Sequence, residues 1–497
     1  MRFWTMIGLI LVLSVVGLTY EIAAGRVLAP FFGTSLATWT TVIATVLAGF
    51  SVGNAIGGFA AERPRRVAIR HVRRALLATA VLMALSPTVL AALYAMGARG
   101  TGGMLFTVWV AFFPASVLVS FPSPFLAKMA VEARPGREGS SLGLVLAAGS
   151  IGAIAGALLA GFVTLPHFGS AATFAACGAV ALLCVPFVRG GASGAEADAV
   201  ATTPAPPEPV TPVSMALAAL LMAAGLMSGP VCQYESGLSC IDILRRGDTV
   251  YLQADRTSQA AERSVGTEGS PELVLSYAQW LWARMDRDLG AEPAVLFIGG
   301  GGYTLPTKLL ASRPAARAVA VEIDPLVTSV VRAHLPAAGR MIARTGFDAT
   351  RAGSGDAADA GRLGIVHEDG RVYINEADRR FDAAVMDAFS SESVPAHLAT
   401  LETYERLREI VDGPVYVNLI DVPDGPLVRG LHAIMRDLYP HVAAVQGPVS
   451  SRGRANVVLA ASAAPLAPLP ALPDGYETVS ISPGRAFTDD RGWVGHR

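Results

Sequence analysis

The stretch Val295–Leu310, VLFIGGGGYTLPTKLL, decides how the C-terminal half of this chain is read. An apolar run, four glycines and a TLPTKLL segment read as a buried strand, a tight turn and the opening of a helix. Such a turn lets the backbone approach a nucleotide-like ligand closely. Gly299-x-Gly301-x-x-Thr304 half-matches the dinucleotide fingerprint, with Thr304 in place of the third glycine. No Gly-Lys-Ser/Thr follows, which excludes a phosphate-cradling P-loop.

Strands and helices alternate on either side of this turn. AVLFIG, AVAVEID, LGIVHED, FDAAVMD and GPVYVNLI read as buried strands, and TLPTKLLAS, PLVTSVVRAHL and LATLETYERLREIV as helices. HVAAVQG and NVVLAAS complete the set of strands. That alternation predicts a parallel sheet covered by helices on both faces. Upstream, SCIDILRRGDTVYLQ reads as a hairpin around an Arg-Gly-Asp turn, and PELVLSYAQWLWARMDRDL as a helix. Ligands of such sheets lie beyond the carboxyl ends of the strands, and acidic residues fall there. Glu322 and Asp324 end the second strand, about 20 residues after the glycine turn, where a carboxylate would meet ribose hydroxyls. Asp369 ends the third strand and Asp387 the fourth. The Gly/Ala/Asp-rich segment Ala337–Gly361 reads as a surface insertion without chemistry.

The first 230 or so residues are of another kind. The 497-residue chain has a mean hydropathy of +0.46, and the apolar excess lies almost wholly before Cys232. Seven stretches approach the roughly 20 apolar residues a spanning helix needs: Trp4–Tyr20, Leu36–Ala60, Ala75–Met96, Met104–Met129, Leu142–Leu165, Ala171–Val188 and Val213–Val231. The first is read as a span and not a signal peptide, because further apolar segments follow at once without a small-x-small cleavage site. Gly49, Gly53 and Gly57, and again Gly152 and Gly156, recur every four residues, a spacing that lets helices approach closely in lipid. Glu21 and Lys128 are ionisable residues within or at the ends of spans. Each is weighed as a functional group against a side chain reaching the headgroups.

The loop ERPRRVAIRHVRR, Glu62–Arg74, carries six arginines and should be cytoplasmic. The N-terminus and the Pro/Ala-rich linker Arg189–Val210 then share that side. A conflict follows at the last segment. If Val213–Val231 spans fully, everything after it lies outside the cytoplasm. A domain using a cytosolic cofactor is instead expected in the cytoplasm, with that segment re-entrant or docked on the bundle.

The formal net charge of −1 argues against a nucleic-acid partner. Cys177, Cys184, Cys232 and Cys240 form no CxxC pair, so neither a disulfide framework nor a metal site is expected.

Taken together, GGGGY, VEIDP, HEDGR and FDAAVMDAF resemble the spermidine synthase (aminopropyltransferase) family from about Cys232 to Ser462. The whole chain resembles its membrane-fused members, in which a transporter-like bundle precedes that domain. The resemblance implies a Rossmann-like, methyltransferase-type α/β domain preceded by a small β-hairpin region. It implies transfer of an aminopropyl group from decarboxylated S-adenosylmethionine to an amine, with release of methylthioadenosine. Gly299, Gly300 and Gly301 would approach the donor, Glu322 would hold the ribose and Asp369 with Gly370 would meet the adenine, with Asp324 beside them. Gln259 would lie near donor and amine, Tyr277 would contact substrate and Asp387 would be the catalytic base. Ser390, Ser391, Glu392 and His397 belong to a polar gate over the site, with Ser390 and Glu392 as acceptor contacts and His397 as a lesser candidate base.

The chemistry of Asp387 stands without the resemblance. A primary amine is protonated at pH 7, its pKa being about 10.4, and is not nucleophilic until a base takes the proton. The chain departs from the family at three positions: Gly302 and Ser390 replace aspartates, and Ile241 replaces a glutamine. The adenosine half of the site is therefore expected intact and the amine half altered. Expected partners are a small amine or polyamine and membrane lipid, and soluble relatives associate, so a homodimer is compatible. An S-adenosylmethionine-dependent methyltransferase, or a sensor or transporter binding an adenosyl ligand without turnover, are the alternatives. The expected divisions are 1–188 bundle, 189–212 linker, 213–231 last helix, 232–290 hairpin region, 291–465 catalytic domain and 466–497 tail.

Overall fold

A computed structural model describes residues 2–32, 36–188, 211–227, 229, 232–236, 238–255, 257–263, 271–349, 361–388, 395–450, 453–469 and 471–490. The chain divides into two compact units, Met1–Cys240 and Ile241–Arg497.

The first unit is a helix bundle: α1 (Phe3–Phe32), α2 (Leu36–Ala61), α3 (Arg65–Ala95), α4 (Gly100–Ser120), α5 (Pro122–Glu132), α6 (Glu138–Leu159), α7 (Leu165–Cys184) and α8 (Pro212–Met227). A helix satisfies its own backbone donors and acceptors, which is why apolar sequence takes this form in hydrocarbon. Large apolar side chains such as Phe59, Phe106, Ile154 and Phe162 face outward. Among the described residues five helical runs are long and apolar enough to cross a membrane. The fifth, Glu138–Phe187, covers two of the seven expected spans. It breaks at Gly169, whose φ of 75° is left-handed. The last expected span is a helix of 16 residues, about 24 Å at 1.5 Å per residue and short of a 30 Å hydrocarbon core.

The four-residue glycine spacings lie at helix contacts. A side chain at Gly53 would meet the Val117 carbonyl oxygen of α4 at 2.1 Å, and one at Gly156 the Val15 carbonyl oxygen of α1 at 2.4 Å. Inside the bundle the Tyr20 hydroxyl and Ser86 Oγ lie 2.7 Å apart, and Ser86 also reaches the Ala111 carbonyl. Lys128 Nζ donates to the Ala61 carbonyl at 2.9 Å and stands 3.9 Å from Glu132, so it ties the ends of α2 and α5 together. Glu21 keeps one buried carboxylate oxygen without a hydrogen-bond partner among the described residues. The expectation that no disulfide forms is overturned, because Cys232 and Cys240 are bonded, with Cα atoms 5.6 Å apart. An eight-residue separation shows nothing in sequence; the turn that brings the two together does.

After the short strand β1 (Tyr234–Glu235), the second unit is built around two sheets. β2 (Cys240–Arg246), β3 (Thr249–Ala254) and β4 (Thr257–Arg263) pair antiparallel. The hairpin expected at Gly247 is present, and β4, which carries Gln259, extends it to a third strand. Helix α9 (Ser276–Asp288) follows.

The larger sheet is mixed, not wholly parallel. β5 (Ala294–Ile298), β6 (Arg317–Val321), β7 (Gly346–Asp348), β8 (Leu363–Val366), β9 (Ala383–Met386) and β10 (Val415–Asp421) are parallel in the order β7-β8-β6-β5-β9-β10. β12 (Ala455–Ser462) then pairs antiparallel with β10, followed by β11 (His441–Gln446) and β13 (Glu477–Thr478). Strands near the C-terminus return by a short hairpin-like path, which only an antiparallel ladder permits.

The connecting helices are α10 (Thr304–Ser312), α11 (Pro325–His334), α12 (Pro336–Thr345), α13 (Gly370–Glu376), α14 (Leu401–Ile410) and α15 (Pro426–Leu438). Part of the expected insertion Ala337–Gly361 is therefore ordered as α12 and β7. Buried Glu262 of β4 anchors α12 by accepting the amides of Ala337 and Ala338. The tail is not separate either: Phe487 is buried in the sheet's core and Asp489 accepts from Thr400 Oγ1 at 2.7 Å.

Candidate active site

The site forms where β5 and β9 end side by side. Strand β5 leads into the glycine turn and β9 into Asp387, whose amide donates to the Ile298 carbonyl at 2.8 Å. Gly299 has φ 91°, and a Cβ there would lie 2.5 Å from the Asp387 carbonyl oxygen. Only glycine lets the two strand ends approach so closely. Gly301 has φ 47° and faces open space. Its amide donates to Glu322 at 2.9 Å, and the Asp324 amide donates to the other oxygen of Glu322 at 3.1 Å. Burial raises the pKa of Glu322, and these amides only partly offset it.

Asp387, Gln259, Tyr277 and Gly299–Gly302 line one narrow cleft together with Phe297 and Val385. Asn418 Nδ2 donates to Asp387 Oδ1 at 2.8 Å, and Asn456 Nδ2 donates to Asn418 Oδ1 at 3.0 Å. The Tyr277 hydroxyl donates to the Gln259 carbonyl at 3.1 Å and is also within hydrogen-bond reach of Asp387. Burial is the largest influence on Asp387; despite the Asn418 and Tyr277 donors its pKa is pushed up to about 7. A carboxylate so tuned takes up and gives back a proton near neutrality.

The cleft thus brings together Asp387, Gln259, Tyr277 and the glycine turn, with Glu322 bonded to that turn. Other expected residues make contacts outside that cleft. Asp324 caps α11 by accepting the Leu326 amide at 2.9 Å. Asp369 lies three residues past β8, not at its last residue, and caps α13 by accepting the Arg371 amide at 2.8 Å. Its other oxygen is 2.9 Å from His397 Nε2, which ties His397 to Asp369. Burial alone would raise the Asp369 pKa, but His397 and the amides outweigh it and hold the carboxyl low. Gly370 is packed against Ile298 and Leu398. Ser390, Ser391 and Glu392 lie outside the described residues.

Asn418 and Asn456 went unread in the sequence. The available signal was an asparagine inside the apolar run VYVNLI, since a polar side chain in a buried strand needs a partner. Replacing Asn418 by alanine is expected to remove a donor from the ionised carboxylate and raise the Asp387 pKa further. The acid limb of kcat/KM, set by loss of the basic form below about 7, should then move upward by about one pH unit. A pH–rate profile of the two proteins checks this.

Ala260 accounts for one departure from the resembled pattern. A Cβ at Gly302 would lie 2.0 Å from the Ala260 Cβ, so the strand β4 occupies the space a larger residue would need.

No known family profile matches the chain. Over 124 residues it is 27% identical to a polyamine aminopropyltransferase of Korarchaeum cryptofilum, covering 25% of this chain and 34% of that protein. The matched stretch spans about a third of that relative's length. Among solved structures, a probable spermidine synthase from Corynebacterium glutamicum aligns with 48% of this chain and 81% of its own, at 20% identity and a TM-score of 0.38. The spermidine synthase of Thermotoga maritima covers 48% and 73%, at 18% identity and a TM-score of 0.34.

Proposed function

We propose that this spermidine synthase-like chain is a membrane-bound aminopropyltransferase using decarboxylated S-adenosylmethionine and an amine such as putrescine. The observation that carries the reading is Asp387, with a pKa near 7, in one cleft with Gln259, Tyr277 and the glycine turn. The amine nitrogen attacks the carbon beside the sulfonium, and the carbon–sulfur bond breaks. Sulfur keeps the electron pair and leaves as the thioether of methylthioadenosine, while Asp387 accepts the proton from nitrogen. Glu322 would hold the ribose, and open space at Gly301 suits a ligand lying against the backbone. The amine side keeps Asp387 but has Gly302 and Ser390 where the family resemblance places further carboxylates, so an acceptor with fewer positive charges fits best.

The full-length protein in detergent, given decarboxylated S-adenosylmethionine and a panel of amines, is expected to release methylthioadenosine with one class of amine. Mass spectrometry reads both products. S-adenosylhomocysteine from a parallel reaction with intact S-adenosylmethionine would replace this reading by methyl transfer. Donor binding without either product would replace it by a sensor.

A further inference from the structure

We infer that the chain enters its second unit on the non-cytoplasmic face of the membrane, placing the cleft in that compartment. This departs from the cytoplasmic placement expected above, and it rests on contacts within the first unit.

One end of the bundle is marked by three contacts. Arg134 stacks 3.6 Å above the Phe3 ring, Lys128 bonds the Ala61 carbonyl, and Arg73 Nε donates to the Val188 carbonyl at 2.8 Å. The start of α1, the ends of α2, α5 and α7 and the first turns of α3 therefore share a level. Here lie the six arginines of Arg63–Arg74 together with Lys128, Arg134 and Arg137. The opposite end is marked by Phe31 against Tyr94, with ring centroids 5.1 Å apart, and by Arg99 5.3 Å above Tyr94. Among the described residues of the bundle its arginines are Arg26 and Arg99. Basic short loops stay in the cytoplasm, which assigns the first end to it.

Helix α8 runs away from that end. Met222 packs with Ala80, Ala84 and Ala181, and a side chain at Gly225 would meet the Ala84 carbonyl oxygen at 3.1 Å. Moving from Ala80 to Ala84 along α3 and from Met222 to Gly225 along α8 is moving the same way. The segment after α8 then reaches the far end. Glu235 accepts the Ser170 amide at 3.0 Å beside the Gly169 break, and Arg26 Nε donates to the Ser236 carbonyl at 3.0 Å. Glu235 and Ser236, beyond α8, thus lie at the far end of the bundle. The Cys232–Cys240 bond supplies an independent argument, since disulfides persist in oxidising compartments and are rare in the cytoplasm. Joined to the proposed transfer, this placement requires that the donor, a permanently charged sulfonium, be carried across the membrane or formed beyond it first.

The test uses full-length protein in spheroplasts and a membrane-impermeant PEG-maleimide. Two exposed positions serve as reporters, Glu292→Cys in the second unit and Arg137→Cys between α5 and α6. Glu292→Cys should label in intact spheroplasts and Arg137→Cys only after lysis. Labelling of Arg137→Cys alone before lysis, or of Glu292→Cys only after it, overturns the inference. In the unsubstituted protein Cys232 and Cys240 should resist alkylation in lysate until a reductant is added. Ready alkylation without reductant would equally overturn it. Neither readout depends on activity, so the placement and the proposed transfer fail separately.

Discussion

Asp387→Asn is expected to lower the transfer rate by about 10²–10⁴-fold, the range that a positioned general base supplies. The substitution is isosteric, and its carbonyl can still accept from Asn418, so the 2.8 Å contact and the shape of the cleft should persist. What is lost is the capacity to take a proton from the attacking amine. Donor binding, followed by calorimetry, should therefore change little while kcat collapses. The same variant should lose the rise in rate through about pH 7 that marks Asp387 becoming basic. An unchanged rate would remove Asp387 from the chemistry.

Gly299→Ala should be nearly as damaging, by another route. The position needs a left-handed backbone of φ 91°, and the added methyl meets the Asp387 carbonyl oxygen at 2.5 Å and the Ala388 amide at 3.0 Å. Both are backbone atoms, so no side chain can rotate aside. Strain of this kind costs about 1–3 kcal/mol before the clash is counted. The relief available is to push β5 and β9 apart, which moves Asp387 and opens the glycine turn together. Thermal stability, donor affinity and turnover should all fall, with turnover down more than about tenfold. Gly301→Ala makes the control. Its φ of 47° is accessible to alanine at about 1–2 kcal/mol and its Cβ meets open space, so stability should fall less. A ligand resting against that backbone would feel the methyl, separating binding from folding.

Much of this was legible. The strand–glycine–helix unit, the alternation around it and the apolar runs each obey a local period, and local periods survive in sequence. Asp387 was legible because it ends a buried strand beside that unit. The unread parts depend on pairing between distant segments. Asn418 stands opposite Val458 in the β10–β12 register, which sets Asn456 diagonally across on the same face. No spacing along the chain foretells that meeting. The segment TSQAAER of β4 has too few β-branched or aromatic residues to read as a strand, and only its pairing with β3 makes it one. Asp324 and Asp369 cap α11 and α13, and capping and ligand binding both favour an aspartate at a strand-to-helix junction, so position alone does not separate the two roles.

The packing of Ala260 against Gly302 bears on how this cleft can change over time. An acidic side chain at position 302 would meet an obstruction from another strand, so that single substitution is blocked. Ala260→Gly would have to come first and, with no benefit of its own, would weaken β4 by lengthening its glycine content. Two positions 42 residues apart are thereby coupled, and the order in which they mutate matters. The side chain tolerated at this point of the cleft is set by the shape of a neighbouring strand as well as by the turn that carries it.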